Sequence, residues 1–194
     1  MGPASFDGVI FDMDGTLIEP RIDFAQLRRE LDIPPGEGIL EALDAMGPAE
    51  AGPKRQRLLE HELAAAGGAA LQPGAHETLR RIRDAGLKAA LLTRSAPEAM
   101  RLVIARFGLE FDLAWSRENG PIKPEPDGIL RACRQLGIAP ARTACVGDFR
   151  YDLVAARAAG AVAVLYAPAG LPDFADLADH VITTLAALCG ILGV

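Results

Sequence analysis

Short apolar runs alternate with amphipathic stretches over most of the chain, and this alternation predicts strands joined by helices. The first run, residues 9–11, is too short for a helix, carries β-branched and aromatic side chains and stops at Asp12. It is therefore typical of a buried strand. After residue 74 the pattern repeats. The predicted helices are 75–85, one ending at Phe107, 126–136, 151–159 and one from 184; the later strands are 87–92, 143–146, 161–166 and one near Val181.

Local signals mark the ends of several of these helices. Ser95 and Glu98 fit a capping box, in which each side chain accepts a hydrogen bond from the other residue's backbone N–H. Gly86, Gly108 and Gly160 follow predicted helices as C-terminal stops. We therefore expect Ser95 to cap the helix that ends before Gly108.

Residues 20–72 follow a different pattern, with leucine and isoleucine at helical spacing and no run typical of a strand. Glycine and proline pairs, among them Gly47-Pro48 and Gly52-Pro53, divide this segment into short helices. We predict an all-helical segment at 20–72, called the helical insert below. It separates the two parts of a core formed by residues 1–19 and 73–194.

Strands that alternate with helices predict an α/β fold, in which a parallel sheet is covered by helices on both faces. The core is therefore expected to be a three-layer, Rossmann-like sheet carrying the small helical insert. Ligands of such folds bind beyond the carboxyl ends of the strands. Polar residues at these ends are the first candidates for a site.

Composition excludes several classes of function. The 194 residues are 50% hydrophobic and 24% charged, as in a globular protein with one sizeable core. Twenty Lys and Arg against 26 Asp and Glu give a net charge of −6 with His neutral, which argues against nucleic acid or an anionic membrane as partner. Residues 1–10 lack a signal-peptide pattern and no apolar stretch reaches about 18 residues, so we expect a cytoplasmic location. The oligomeric state is not indicated.

The cysteines Cys133, Cys145 and Cys189 lie far apart, without the spacing of metal ligands. We expect reduced core residues, and the alternative for each is a reactive thiol.

Four polar signals follow predicted strands or lie in the loops beyond them. They are the Asp12 and Asp14 pair, Thr93, Lys123 and Asp148. Because they belong to separate structural units, a parallel sheet is needed to bring them together. A carboxylate can act as a nucleophile and Mg²⁺ prefers carboxylate ligands, although strand-end aspartates also cap turns.

These motifs resemble the haloacid dehalogenase superfamily, in the branch similar to phosphoglycolate phosphatase. The resemblance covers nearly the whole chain, with Asp12-Met13-Asp14-Gly15-Thr16, Thr93, Lys123-Pro124, Gly147-Asp148 and Asp152 in order. It implies that Asp12 is the nucleophile and forms an aspartyl phosphate. It further implies that Mg²⁺ is held by Asp12, Asp148 and the backbone carbonyl of Asp14, and that the helical insert is a cap over the site.

The same resemblance implies roles for five further groups. The side chain of Asp14 would be the general acid and base, and Lys123 would neutralise the nucleophile and the transferring phosphoryl group. Thr93 would bind phosphate, and Gly15 would let the backbone approach it. Asp152 would orient Lys123 or a metal-bound water.

Simpler interpretations stay open for several of these residues. Thr93 is also an ordinary β-branched strand residue, Lys123 a solvated lysine, and Asp152 a first-turn charge that complements a helix dipole. Arg94 stands where many relatives carry a small or amide side chain. Its guanidinium either contacts a phosphate or substrate carboxylate or points to solvent.

The resemblance favours a Mg²⁺-dependent phosphatase that hydrolyses a small phosphate monoester, with a small phosphorylated metabolite as its partner. A phosphomutase of the same superfamily is the alternative, since it shares every motif. A phosphoacceptor or binding module without turnover is a third interpretation, against which Asp14 and the helical insert argue. Basic residues of the insert either contact an acidic substrate or pair with acidic neighbours on solvated helix faces.

Overall fold

The computed structural model describes residues 6–194, in which six parallel strands form a single sheet. The strands are β1 (Gly8–Phe11), β2 (Lys88–Leu92), β3 (Leu113–Trp115), β4 (Thr143–Gly147), β5 (Val162–Tyr166) and β6 (His180–Ile182). Their spatial order is β3-β2-β1-β4-β5-β6. The predicted α/β fold with a Rossmann-like parallel sheet is confirmed. Residues 1–5, part of the segment inspected for an export signal, lie outside the described range.

Helices cover both faces of the sheet. The α-helices of the described residues are α1 (Phe24–Glu30), α2 (Ile39–Ala45), α3 (Pro48–Gly68), α4 (Ala75–Asp84), α5 (Pro97–Phe107), α6 (Asp127–Leu136), α7 (Arg150–Ala158) and α8 (Ala186–Leu192), of which α4 to α8 pack on the sheet. Successive strand side chains point to opposite faces. Val9 and Phe11 of β1 pack with residues of α4, α5 and α8, whereas Ile10 packs with residues of α6 and α7. The sheet is therefore the middle of three layers.

The helical insert contains α1, α2 and α3 and has its own apolar cluster, formed by Leu27, Leu31, Ile33, Ile39, Leu40, Ala42, Leu43 and Leu58. Helix α3 continues through Gly52 and Pro53, so the predicted break at this pair is wrong. Pro53 lies near the start of the helix, where its missing N–H removes one backbone hydrogen bond. Burial of Ala51 and Leu58 on either side of it stabilises the helix.

The chain enters and leaves the helical insert through two segments that are hydrogen-bonded to each other. The N–H of Glu19 donates to the carbonyl of Ala70 at 2.9 Å, and the N–H of Gln72 donates to the carbonyl of Leu17 at 2.8 Å. The Nε2 of Gln72 also donates to the carbonyl of Gly15 at 3.5 Å. The base of the insert is thereby attached directly to the turn after β1.

All three cysteines are buried and none forms a disulfide, in agreement with the prediction of reduced core residues. Within residues 6–194 no helix has both the length and the apolar character needed to cross a membrane.

Candidate active site

The carboxyl ends of β1 and β4 lie side by side at the centre of the sheet. The chain runs outward from β1 to β2 and β3 on one side, and from β4 to β5 and β6 on the other. Such a switch point leaves a crevice beyond the strand ends. Asp12 directly follows β1, Asp148 directly follows β4, and the N–H of Asp12 donates to the carbonyl of Val146 at 2.9 Å. The structure therefore brings the two aspartates together.

Gly15 makes room for Asp148 beside the turn that follows β1. Its φ of 87° lies in the left-handed region, which favours glycine. The N–H groups of Leu17 and Ile18 complete the turn by donating to the carbonyl of Met13 at 2.9 and 3.1 Å. A Cβ on Gly15 would lie 2.1 Å from Oδ2 of Asp148. A larger residue would strain the turn and displace this carboxylate.

Lys123 joins the end of β1 to α7 through two short ion pairs. Its Nζ donates to Oδ1 of Asp12 at 2.6 Å and to Oδ1 of Asp152 at 2.5 Å. Lys123 and Asp152 are buried, and the Asp12 side chain is 12% exposed. Asp152 packs against Gly147, where a Cβ would lie 2.1 Å from its Cγ, and its Oδ2 accepts from the N–H of Phe149 at 3.2 Å. These contacts hold the Asp152 carboxylate against the Lys123 ammonium.

Negative charge exceeds positive charge in this cluster. Burial raises the pKa of Asp12 well above its ordinary value, against the opposing effect of Lys123. Burial raises the pKa of Asp14 as well, and it raises that of Asp148 to about 7 with a further contribution from Asp152. Burial by itself would lower the pKa of Lys123, but Asp12 and Asp152 together raise it. Further positive charge would therefore stabilise the ionised carboxylates.

The donor set fits a small divalent cation. Carboxylate oxygens of Asp12, Asp148 and Asp152 lie within 4.8 Å of one another. Oxygen donors of this kind suit Mg²⁺, which usually takes one or two carboxylates together with water and substrate oxygens. Because both oxygens of Asp152 already accept hydrogen bonds, Asp12 and Asp148 are the stronger candidates for direct ligands.

Ser95 contacts the site instead of capping α5. The N-cap of α5 is Ala96, without a side-chain cap, so the predicted capping box is wrong. The Oγ of Ser95 donates to Oδ2 of Asp14 at 2.7 Å, and its N–H donates to Oγ1 of Thr93 at 3.0 Å. Thr93 is buried at the end of β2 and keeps its own O–H as a donor. Sequence reasoning missed Ser95 as a site residue, because its pattern also fits a helix start.

Arg94 connects the site to the helical insert. One terminal nitrogen, Nη1, donates to the carbonyl of Lys123, and the other, Nη2, donates to both carboxylate oxygens of Glu41 at 2.8 and 2.9 Å. Its Cζ lies 4.6 Å from the ring centroid of Tyr151, a cation–π distance. Arg94 therefore does not project freely into solvent.

Glu62 of α3 forms a second, buried connection between the insert and the core. It is 5% exposed and accepts from Arg117 at 2.5 Å and from the N–H of Ala96 at 3.2 Å. Nη1 of Arg117 also lies 3.3 Å from the carbonyl of Arg94. Sequence reasoning missed this contact, since an acidic residue on a long helix is ordinarily exposed.

Three basic residues of the helical insert pair with acidic residues of the same segment, as the solvated interpretation expects. The pairs are Lys54 with Glu50, Arg55 with Asp44, and Arg57 with Glu30 and Glu60. Exposed pairs of this kind contribute little to stability. Substrate contact through these residues receives no support from the structure.

A family model described as haloacid dehalogenase-like hydrolase matches residues 6–160. The chain belongs to this family and is a hydrolase. The branch named by the resemblance is also confirmed, because a phosphoglycolate phosphatase of Chromobacterium violaceum is 32% identical over 93% of both chains.

Two further comparisons agree with this family assignment. A haloacid dehalogenase-like hydrolase domain-containing protein of Arabidopsis thaliana is 31% identical over 81% of this chain and 69% of its own length. A haloacid dehalogenase family hydrolase of Deinococcus radiodurans, whose crystal structure contains phosphate and sodium, superimposes with a TM-score of 0.72. It is 27% identical, and the match covers 98% of this chain and 96% of that one. Family and relatives together identify the chain as a hydrolase of the phosphatase type.

Proposed function

We propose that the protein is a Mg²⁺-dependent phosphatase that hydrolyses a small phosphorylated metabolite through an aspartyl phosphate on Asp12. The observation that carries this proposal is the contact of Lys123 with both Asp12 and Asp152, beside Asp148. The ammonium of Lys123 opposes the effect of burial on the pKa of Asp12, and so favours the ionised carboxylate that a nucleophile requires.

In the first step, Oδ of Asp12 attacks the phosphorus atom and the bond to the leaving oxygen breaks. Asp14 in its protonated form donates a proton to that oxygen, so the alcohol leaves neutral. Burial, which raises the pKa of Asp14, favours this protonated form. Ser95 holds the carboxyl group through the hydrogen bond to Oδ2.

In the second step, water attacks the phosphorus of the aspartyl phosphate. Asp14, now ionised, takes a proton from the water, and the phosphorus–oxygen bond to Asp12 breaks to release phosphate. This returns both aspartates to their starting forms. A phosphomutase would pass the same phosphoryl group to a sugar hydroxyl.

Charge on the phosphoryl group must be offset in both steps. Lys123 supplies one positive charge, and the O–H of Thr93 supplies a hydrogen-bond donor. Asp12, Asp148 and the backbone carbonyl of Asp14 would hold Mg²⁺, which when bound offsets further negative charge. Asp152 positions Lys123.

Hydrolysis of p-nitrophenyl phosphate tests the proposal. The wild type should turn over with Mg²⁺, lose activity in EDTA and regain it when Mg²⁺ is restored. Asp12→Asn should abolish turnover with an unchanged circular dichroism spectrum, whereas the matched Asp84→Asn, at an exposed position of α4, should keep turnover. Turnover by Asp12→Asn would contradict the assignment of Asp12 as the nucleophile. Wild-type activity that does not change in EDTA would contradict the proposed role of Mg²⁺.

A further inference from the structure

Arg94 is held against the core by contacts that do not involve the helical insert. Its guanidinium lies over the ring of Tyr151 at 4.6 Å, and Nη1 donates to the carbonyl of Lys123. Tyr151 lies in α7, and Lys123 is the residue whose ammonium contacts Asp12. These contacts fix the plane of the guanidinium, and Arg94 directly follows Thr93, the residue that the proposed function assigns to phosphate binding.

The second terminal nitrogen of Arg94, Nη2, is directed at an anion. It contacts both oxygens of Glu41, from α2 of the insert, at 2.8 and 2.9 Å. A guanidinium fixed in plane is well suited to carboxylate and phosphate oxygens. The Glu41 carboxylate therefore shows where a second anionic group would bind.

Glu41 can be exchanged for another anion more easily than Glu62. The side chains of Glu41 and Arg94 are 46% and 21% exposed, whereas those of Glu62 and Arg117 are 5% and 15% exposed. An exposed ion pair contributes little to stability, so its replacement by a substrate anion costs little. The buried pair would hold α3 on the core even if the Glu41 contact were broken.

We propose that Arg94 is a specificity-determining residue that binds a second anionic group of the substrate, a carboxylate or a second phosphate, in the place that Glu41 takes in the free protein. This inference rests on the proposed function, because it takes the monoester phosphate to lie at Thr93. It predicts opposite effects for the two partners: loss of Arg94 removes the preference for anionic substrates, and loss of the Glu41 charge strengthens it.

The test is calorimetric binding with Mg²⁺ in the Asp12→Asn background, where turnover does not interfere. 3-Phosphoglycerate and glycerol 3-phosphate differ in a carboxylate, and fructose 1,6-bisphosphate and fructose 6-phosphate differ in a second phosphate. For at least one pair the anionic member should bind about 10-fold more tightly or better, as one good charge-assisted contact provides. The pair that shows the preference identifies the second group as carboxylate or phosphate.

Three additional variants complete the test. Arg94→Gln should reduce the preference about 10-fold, and Glu41→Gln should increase it. Arg101→Gln, an exposed change on α5, should leave it unaltered. An unchanged preference for the anionic substrate in Arg94→Gln would overturn the inference. A decrease of this preference in Glu41→Gln would also overturn it, because it would show that the ion pair only attaches the helical insert to the core. Because the readout is binding, absence of wild-type turnover would count against the proposed function and not against Arg94.

Discussion

The Oγ of Ser95 lies 2.7 Å from Oδ2 of Asp14 and donates a hydrogen bond to it. The backbone N–H of the same serine donates to Oγ1 of Thr93 at 3.0 Å. One residue thus connects the proposed general acid to the proposed phosphate-binding hydroxyl, although 81 positions separate Ser95 from Asp14 along the chain. The proton donor and the phosphate site are thereby fixed relative to each other.

We expect Ser95→Ala to lower kcat about 10-fold for an alkyl phosphate, because the proton donor loses its orientation. Loss of activity toward p-nitrophenyl phosphate should be smaller, since its leaving group needs no proton. Steady-state kinetics on both substrates measures the difference. Ser116→Ala, which removes a hydroxyl that contacts Asn119 instead of Asp14, is the control. Equal losses on the two substrates would show that Ser95 does not act through proton transfer.

Gly15→Ala should weaken activation by Mg²⁺ about 10- to 100-fold, because the new methyl group displaces the Asp148 carboxylate. Gly86→Ala is a matched control. Gly86 has a similar φ of 75°, but nothing lies within 4 Å of a Cβ placed there. The Gly86→Ala variant should lose about 1 kcal/mol of stability and keep its response to Mg²⁺. A Mg²⁺ titration of the activity of each variant measures the response, and equal responses in the two variants would contradict the role given to Gly15.

The metal-free protein should lose stability as the pH rises from about 4 to about 7. Burial, with a contribution from Asp152, raises the pKa of Asp148 to about 7 from an ordinary value of 3.8. The folded state therefore binds the Asp148 proton more tightly than the unfolded state. This stabilisation is complete below the unfolded pKa and disappears as the pH passes the folded pKa.

Thermal unfolding in EDTA at pH 5 and pH 8 measures this effect. The wild type should be less stable at pH 8, with Asp148 contributing about 2–4 kcal/mol. Asp148→Asn should show a smaller difference between the two pH values. A wild type that is more stable at pH 8, or an Asp148→Asn variant with the same pH dependence, would contradict the charge balance described for the site.

The sheet was predictable because most strands are apolar runs bounded by glycine or by a polar strand end, and those signals are local. β3 was not predicted: its three residues, Leu113–Trp115, are too few to show a period. Its conformation depends on pairing with β2, where Ala90, Leu91 and Leu92 are its partners. Pairing with a neighbouring strand cannot be predicted from a segment of three residues.

The candidate site was predictable where a residue type is tied to a strand end, as for Asp12 and Asp148. Ser95 was assigned to a cap because Ser-x-x-Glu is a local signal, but the distant carboxylate of Asp14 is its actual partner. Glu41 and Glu62 were missed for a related reason. Their partners, Arg94 and Arg117, lie 53 and 55 positions away, and nothing near them in the chain indicates the contact.

Covalent labelling of Asp12 tests the central claim most directly. Wild-type protein mixed with substrate and Mg²⁺ and quenched in acid within one turnover should carry one phosphoryl group on the peptide that contains Asp12. The label should disappear as phosphate is released and should be absent from Asp12→Asn. An enzyme that turns over without this label, or that carries it on another residue, would contradict the mechanism.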